Sequence, residues 1–439
     1  MKRFFTTIKN IFSIEDLRVR ILNTIGFLII FRLGSYIVLP GVDPVILEQI
    51  GGNQGGIFDL LNTFLGGSFS RASIFALGIM PYISASIVVQ LLTVAVPHFT
   101  KLQKEGDSGR KKLNQFTRIL TIIITAAQSY GYIRATIAPE ALLNPGLFFT
   151  VSSIIILVAG TMFCMWLGER ITDKGIGNGI SMLIMIGIVS RFPAAIYQEV
   201  DAKGMNGMLL FILEVLALFF VVVGVIALTQ ATRRIPVQYA KQVVGNKLYG
   251  GKRDFIPLKL NSAGVMPIIF AQALMFIPPL VAQIWQDSDL GAYVGSTFAD
   301  FTSWQYNLLF AILILIFTFF YTAITVPSND IADNLKRNGG FVPGIKPGKQ
   351  TAEFIDSILS KITLPGAIFL AAVAILPAFA VKAGITQNFA QFYGGTSLLI
   401  LVGVVLDTLQ QIESYLLMRH YEGMMKSGRV KGRSQFAAA

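Results

Sequence analysis

The chain has 439 residues, 54% of them hydrophobic and only 14% charged, with a formal net charge of +12. Globular domains carry about 25% charged residues, so this composition excludes an ordinary soluble fold. Several apolar stretches exceed the roughly 20 residues that cross a bilayer core, which points to a polytopic membrane protein made of helices.

The alternating short strands of an outer-membrane barrel are absent from the sequence. The single cysteine, Cys164, lies in an apolar run and reads as a buried small hydrophobe, with no disulfide framework. In chain order, ten spans are expected near 21–39, 72–96, 116–135, 148–168, 176–192, 208–229, 262–283, 305–326, 362–381 and 396–418. The first is read as retained, because no small-x-small cleavage site follows it and it contains Arg32.

An even number of spans puts both termini on one side, and basic residues tell which. Five precede span one, and six follow span two, from Lys101 to Arg118. Two follow span four, seven lie in loop six–seven, five in loop eight–nine and five in the tail. The opposite side holds only Arg71, Arg134, Arg191, Lys203 and Lys382. Thirty against five predicts cytoplasmic termini. The expected organisation is a cytoplasmic segment 1–20, a five-span half 21–192, an external hinge loop 193–207, a second half 208–418 and a tail 419–439. Cytoplasmic loops 230–261 and 327–361 interrupt the second half, and their basic excess suits phosphate, whether on lipid or on RNA.

Residues 78–83 read GIMPYI and residues 264–269 read GVMPII. Each falls in the second span of a five-span half. An odd number of spans inverts the following half, so the sequence suggests an inverted repeat. Pro81 and Pro267, read as lying inside apolar helices, would remove a hydrogen bond and bend each axis. A glycine-rich unit, GIGNGI at 175–180, opens a short fifth span. Such backbone is tolerated at membrane depth only where protein or a water-filled cavity covers it.

Between spans one and two, IFDLLNTFL (57–65) is an apolar segment with GGNQGG before it and Gly66-Gly67 after it. As a helix it reaches about 14 Å, under half a bilayer core. It therefore lies at the interface or folds back among the helices. In loop six–seven, IPVQYAKQVV, Gly245-Asn246 and KLY read as a β-hairpin. Gln90 and Gln272, amid apolar residues, each need a hydrogen-bond partner. Arg32, Glu214, Asp407 and Glu413 are costly at membrane depth and are read as paired or snorkelling rather than as transport groups.

SRASIFALGIMPYISASIVVQLL (70–92), MWLGERITDKGIGNGIS (165–181), FVPGIKPGKQTAEFID (341–356) and YGGTSLLILVGVVLD (393–407) closely resemble the SecY family. Members of that family form the central subunit of the Sec protein-translocation channel. The likeness runs from about residue 15 to 430. It implies an all-α fold of ten transmembrane helices, in two inverted five-helix halves around a central pore.

The resemblance further implies a pore ring of Ile79, Ile83, Ile180, Ile184, Ile269 and Ile400. It implies a plug at 57–65, with Ile57, Phe58, Leu60, Leu61, Phe64 and Leu65 as its apolar residues. Spans two and seven, with Pro81, Gln90, Pro267 and Gln272, would form a lateral gate toward lipid. The basic loops, with Arg233, Arg234, Lys241, Lys247 and Lys346, would dock a translating ribosome or the SecA ATPase. Asn246 and Lys247 stand where relatives carry two arginines, and Lys346 stands where arginine is usual. SecE and SecG are the implied companion subunits, signal sequences and nascent polypeptides the substrates, and the bacterial plasma membrane the location.

A secondary transporter also uses inverted repeats and broken helices. It usually needs a midplane cluster of ionisable residues, however, and spans two, seven and eight have none. A membrane enzyme fits less well. Only His98 and His420 occur, with no metal-ligand spacing and no nucleophile motif, so no catalytic residue, metal or cofactor is expected.

Overall fold

The computed structural model describes residues 12–426 apart from 13, 45, 48–61, 63, 64, 138, 144, 145, 205, 206, 240, 241, 245, 246, 250–252, 276, 277 and 279–288. The described residues form two compact units. One comprises residues up to 191 and those from Gly403 onward, the other residues 192–402.

The first unit holds α1 (Glu15–Gly34), α2 (Met80–Ala95), α3 (Pro97–Lys104), α4 (Asp107–Thr136), α5 (Leu147–Lys174) and the start of α6 (Gly179–Lys203). The second holds α7 (Met208–Gln230), β1 (Thr232–Tyr239), β2 (Gln242–Val244), β3 (Lys247–Tyr249), β4 (Arg253–Lys259), α8 (Met266–Leu274) and α9 (Asp289–Ala299). It continues with α10 (Trp304–Thr325), α11 (Ser328–Arg337), β5 (Gly340–Phe341), α12 (Lys349–Lys382), α13 (Gln387–Ala390) and the first turns of α14 (Gly395–Lys426).

Six stretches among the described residues are long and apolar enough to cross a membrane: α5, α6, α7, α10 with α11, α12 and α14. The pair α2 and α3, bent by 99°, makes a seventh if taken as one span. Helix α1 carries too much charge to qualify. Helix α4 has a polar stripe that its own backbone absorbs, because Thr117, Thr121, Thr125 and Ser129 each donate to the carbonyl four residues back.

Two expected spans begin elsewhere. Helix α1 starts at Glu15, with Glu15 and Asp16 in its first turn where the helix dipole favours them, and it ends at Gly34 rather than residue 39. Residues 37–39 instead pair with residues 72–74, through Leu39 N–H to Ala72 O (2.8 Å) and Ile74 N–H to Ile37 O (2.9 Å). The second span is helical only from Met80. Ahead of it, Leu65, Phe69, Ala72, Phe75 and Ala76 are buried, so protein covers the irregular backbone as membrane depth requires.

This corrects the reading of Pro81 and Pro267 as kinks. Both stand in the first turn of their helices, where a missing N–H costs nothing. Gly78 (φ +51°) and Gly264 (φ +64°) precede them in the left-handed region. Ile79 and Val265 then take nearly the same backbone angles, φ −100° and −92° with ψ near zero. The two Gly-x-Met-Pro copies are thus one helix-starting device used twice. A Cβ on Gly78 would sit 2.5 Å from Leu65 Cδ2, whereas one on Gly264 would meet nothing. Left-handed strain in an L-residue costs about 1–3 kcal/mol. Gly78→Ala is therefore expected to lower thermal stability more than Gly264→Ala. Equal shifts in unfolding temperature would mean that Leu65 yields freely.

The fifth span is also longer than expected. Helix α6 runs 25 residues to Lys203 and contains Pro193, so much of the supposed hinge loop 193–207 is helical. Its polar end is stabilised by burial in mutual pairs. Lys203 Nζ lies 3.0 Å from Glu199 Oε1 and also pairs with Glu214 of α7. Glu199 Oε2 accepts from the backbone N–H (2.9 Å) and the hydroxyl of Thr386. The Tyr393 hydroxyl donates to the Glu214 carbonyl at 2.5 Å.

The GIGNGI link is anchored rather than loose. Ile176 N–H donates to Thr24 Oγ1 (3.0 Å), Gly177 N–H to Gln411 Oε1 (2.8 Å) and Gly179 N–H to Thr172 Oγ1 (2.9 Å). Asn178 Oδ1 caps α6 by accepting from Ile180 N–H at 3.1 Å.

Among the described residues, the strands β1 to β5 all lie in the loops of the second unit. Strand β1 pairs antiparallel with β4 and with β5, giving the order β4-β1-β5. Strands β2 and β3 pair separately and antiparallel, with Val244 opposite Lys247, as the sequence pattern leads one to expect, and residues 245 and 246 between them lie outside the described residues. The three-stranded sheet joins both basic loops in one body. Ile235, Val237 and Leu258 share a core with Leu335, Val342, Ile355 and Leu359.

Candidate pore, gate and docking surfaces

Ile79 is the residue before α2 and Ile83 stands four residues on, so both project from one face. Both are buried. Ile180 and Ile184 repeat that spacing on the first turns of α6, with Ile184 buried and Ile180 half-buried. Helix α6 comes close to α5 because both carry glycine. A Cβ on Gly179 would stand 1.9 Å from Gly168 O, and one on Gly168 would stand 3.1 Å from Ile180 Cγ1. In the second unit, Ile269 on α8 and Ile400 on α14 are also buried.

Ile180 further lines a polar cleft of about 400 Å³, together with Tyr82 of α2, Arg118 of α4, and Glu169 and Asp173 of α5. There Arg118 Nη2 donates to both Glu169 oxygens at 2.8 and 2.9 Å.

Of the six plug residues, Ile57, Phe58, Leu60, Leu61 and Phe64 lie outside the described residues. Leu65 is buried against Gly78, at the entry to α2. The segment ends on two left-handed glycines, Gly66 (φ +62°) and Gly67 (φ +88°). Asn62 ties that end down. Its carbonyl accepts from Gly67 N–H (2.9 Å) and its Oδ1 accepts from Ser70 N–H (3.2 Å).

The two glutamines differ. Gln90 is half-buried and its Nε2 reaches Ser86 Oγ on its own helix at 3.5 Å, the limit of a hydrogen bond. Gln272 is buried, and its side chain reaches that of Tyr306 on α10, although neither its Nε2 nor the Tyr306 hydroxyl makes a hydrogen bond of regular geometry. The expectation that each glutamine finds a partner is therefore met weakly by both.

Arg233 and Arg234 are exposed on β1, and the strand's next inward residues, Ile235 and Val237, fix them on the sheet. Lys346 is exposed in the turn after β5, where its carbonyl accepts from Thr351 Oγ1 at 2.9 Å. Lys241 lies outside the described residues, as does the side chain of Lys247 in β3.

Of the ionisable residues within spans, Arg32 is in the last turn of α1, Glu214 is paired with Lys203, and Asp407 and Glu413 are exposed on α14. Sequence reasoning missed the Glu199 partnership. Its available signal was the four-residue spacing of Glu199 and Lys203, a helical ion-pair spacing inside a supposed loop.

Comparison with known proteins gives consistent results. The family model described as SecY matches residues 73–409. The protein translocase subunit SecY of Halalkalibacterium halodurans is 45% identical over 433 residues, covering 96% of this chain and all of that one. A solved structure described as "The structure of a protein conducting channel" matches with a TM-score of 0.64 at 16% identity, over 90% of this chain and 92% of that chain. Sec61, solved in a canine ribosome-channel complex from the endoplasmic reticulum, matches with a TM-score of 0.59 at 16% identity, over the same shares.

Proposed function

Because the chain belongs to the SecY family, we propose that it is the channel subunit through which unfolded polypeptides cross a bacterial plasma membrane and from which apolar segments pass sideways into lipid. The observation that carries this reading is the placement of Ile79 and Ile83 on one face of α2, directly after the left-handed break at Gly78. In this reading those two, with Ile180, Ile184, Ile269 and Ile400, form an aliphatic collar. A collar of this kind gates by dewetting, since it offers an ion nothing in place of its lost hydration. A threading chain meets only soft apolar walls that fit any sequence. The chain makes and breaks no bond of its own. The driving force comes from SecA or from the translating ribosome.

The segment 57–65 serves as the plug, and Leu65 against Gly78 supports its seat next to the gate helix. Helices α2 and α8 act as the lateral gate. Both termini and both basic loops face the cytoplasm. Arg233, Arg234, Lys241, Lys247 and Lys346 then meet ribosomal RNA phosphate or SecA, and SecE and SecG complete the complex. The ribosome-bound relative supports the ribosomal partner.

The test is crosslinking. A photoreactive residue at position 83 is expected to capture a stalled secretory chain, and capture of lipid alone would overturn the reading. Ribosome co-sedimentation is expected to fall with rising salt, and to fall further in the Arg233→Gln, Arg234→Gln protein. Binding that ignores both salt and substitution would remove the sheet from the docking site.

A further inference from the structure

Basic side chains are scarce on the side of the chain opposite its N-terminus, and two of the five have evident partners. Lys203 is neutralised by Glu199 and Glu214, and Arg134 lies over the Tyr130 ring at 5.8 Å. Arg71 and Arg32, the latter in the last turn of α1, converge without an acid. The Arg71 guanidinium lies 4.4 Å from the Tyr36 ring centroid, and that of Arg32 lies 5.6 Å from the same centroid. Arg32 Nη1 donates to the neutral carbonyl of Gly66 at 3.2 Å. Arg71 Nη1 is buried and has no hydrogen-bond partner. Among the described residues, neither arginine has a carboxylate within ion-pair distance.

Both guanidinium groups also reach the Tyr36 hydroxyl, but one phenol does not balance two cations that repel, and the buried unpaired nitrogen of Arg71 is costly, so the arrangement lacks an anionic counter-charge. The surroundings say which kind. Tyr36 is 58% exposed, and its neighbours Leu33 and Ile37 are 64% and 54% exposed. At the end of a membrane helix, exposed aliphatic residues face acyl chains and a tyrosine marks the headgroup level. Guanidinium forks match phosphate oxygens two at a time, with more geometric specificity than an ammonium.

We propose that Arg32 and Arg71, held on Tyr36, form a binding site for the phosphodiester of a phospholipid headgroup in the leaflet at the far end of α1. Arg32 is the fixed member, tied to the Gly66 carbonyl. Arg71, partly exposed as a whole, supplies its outward-facing guanidinium edge. The bound headgroup would pin the Gly66–Gly67 turn that follows the segment 57–65.

Native mass spectrometry of the full chain, purified with added phosphatidylglycerol, tests this. Retained lipid is expected to fall at least about five-fold in the Arg32→Gln, Arg71→Gln protein, the scale of losing a charge-assisted contact. Arg71→Lys is expected to recover part of that loss, and Tyr36→Leu, which keeps both cations, to lose retention as well. Lys111→Gln, Lys112→Gln, at the other end of the bundle, is expected to leave this difference intact. Unchanged retention in the arginine and tyrosine variants would overturn the proposal. So would displacement of the lipid by an equal concentration of inorganic phosphate, which would make the site one for a free anion.

Discussion

Proteoliposomes carrying the Ile83→Asn, Ile184→Asn protein are expected to leak monovalent ions at least about ten-fold faster than those carrying the parent chain. The two residues stand one turn into α2 and α6, and both are buried. An aliphatic collar blocks ions because dehydration there goes uncompensated. An amide in the collar supplies a dipole. A hydrogen bond to a charged species contributes about 1.5–3 kcal/mol, and about 1.4 kcal/mol of barrier is a factor of ten in rate. Ile83→Val and Ile184→Val keep the surface apolar and are expected to stay tight. Equal conductance in all of these proteins would mean that the isoleucines are packing residues and not a seal.

The second large effect concerns stability. Lys203→Met leaves Glu199, 0% exposed, and Glu214, 5% exposed, without a counter-charge. Removing one partner of a buried ion pair costs about 3–5 kcal/mol, mostly through the charge left behind. The unfolding temperature of the purified protein is expected to drop accordingly. The triple change Glu199→Gln, Lys203→Met, Glu214→Gln removes the stranded charges together, so it is expected to recover most of the loss. If the triple variant is as unstable as the single one, packing of the lysine stem, rather than charge, holds this corner.

The same corner shows where sequence alone misleads. Glu199 and Lys203 fall in the stretch 193–207 that reads as an external loop after a short span. What was not legible is that Lys203 finds its second carboxylate on α7, eleven residues later, and that Thr386 closes the group from nearly two hundred residues away. Long apolar runs with polar ends were legible within a residue or two, as in α7 and α10. The starts of α2 and α8 were not. Hydropathy runs unbroken through Gly78 and Gly264, and only the sign of φ reveals that the helix begins after them. The β2–β3 hairpin was readable from alternation about Gly245-Asn246. Strand β5 was not, since two residues carry no period and their pairing with Gln238 and Tyr239 is made a hundred residues away. Among the site residues, the collar and docking positions came from motif likeness. The spacing of Ile79 with Ile83 and of Ile180 with Ile184 then placed each pair on a common face.

The core shared by both basic loops has a mechanical consequence. Ile355 and Leu359, in the first three turns of α12, are wedged against Ile235 and Val237 of β1. Helix α12 continues to Lys382, about 51 Å end to end at 1.5 Å per residue. Pro365 is the first point along it where a ladder hydrogen bond is missing. The sheet and the leading half of α12 therefore form one stiff arm with its compliance at Pro365. A push on the sheet beside Arg233 and Arg234 would pass along α12 as a tilt as far as Pro365.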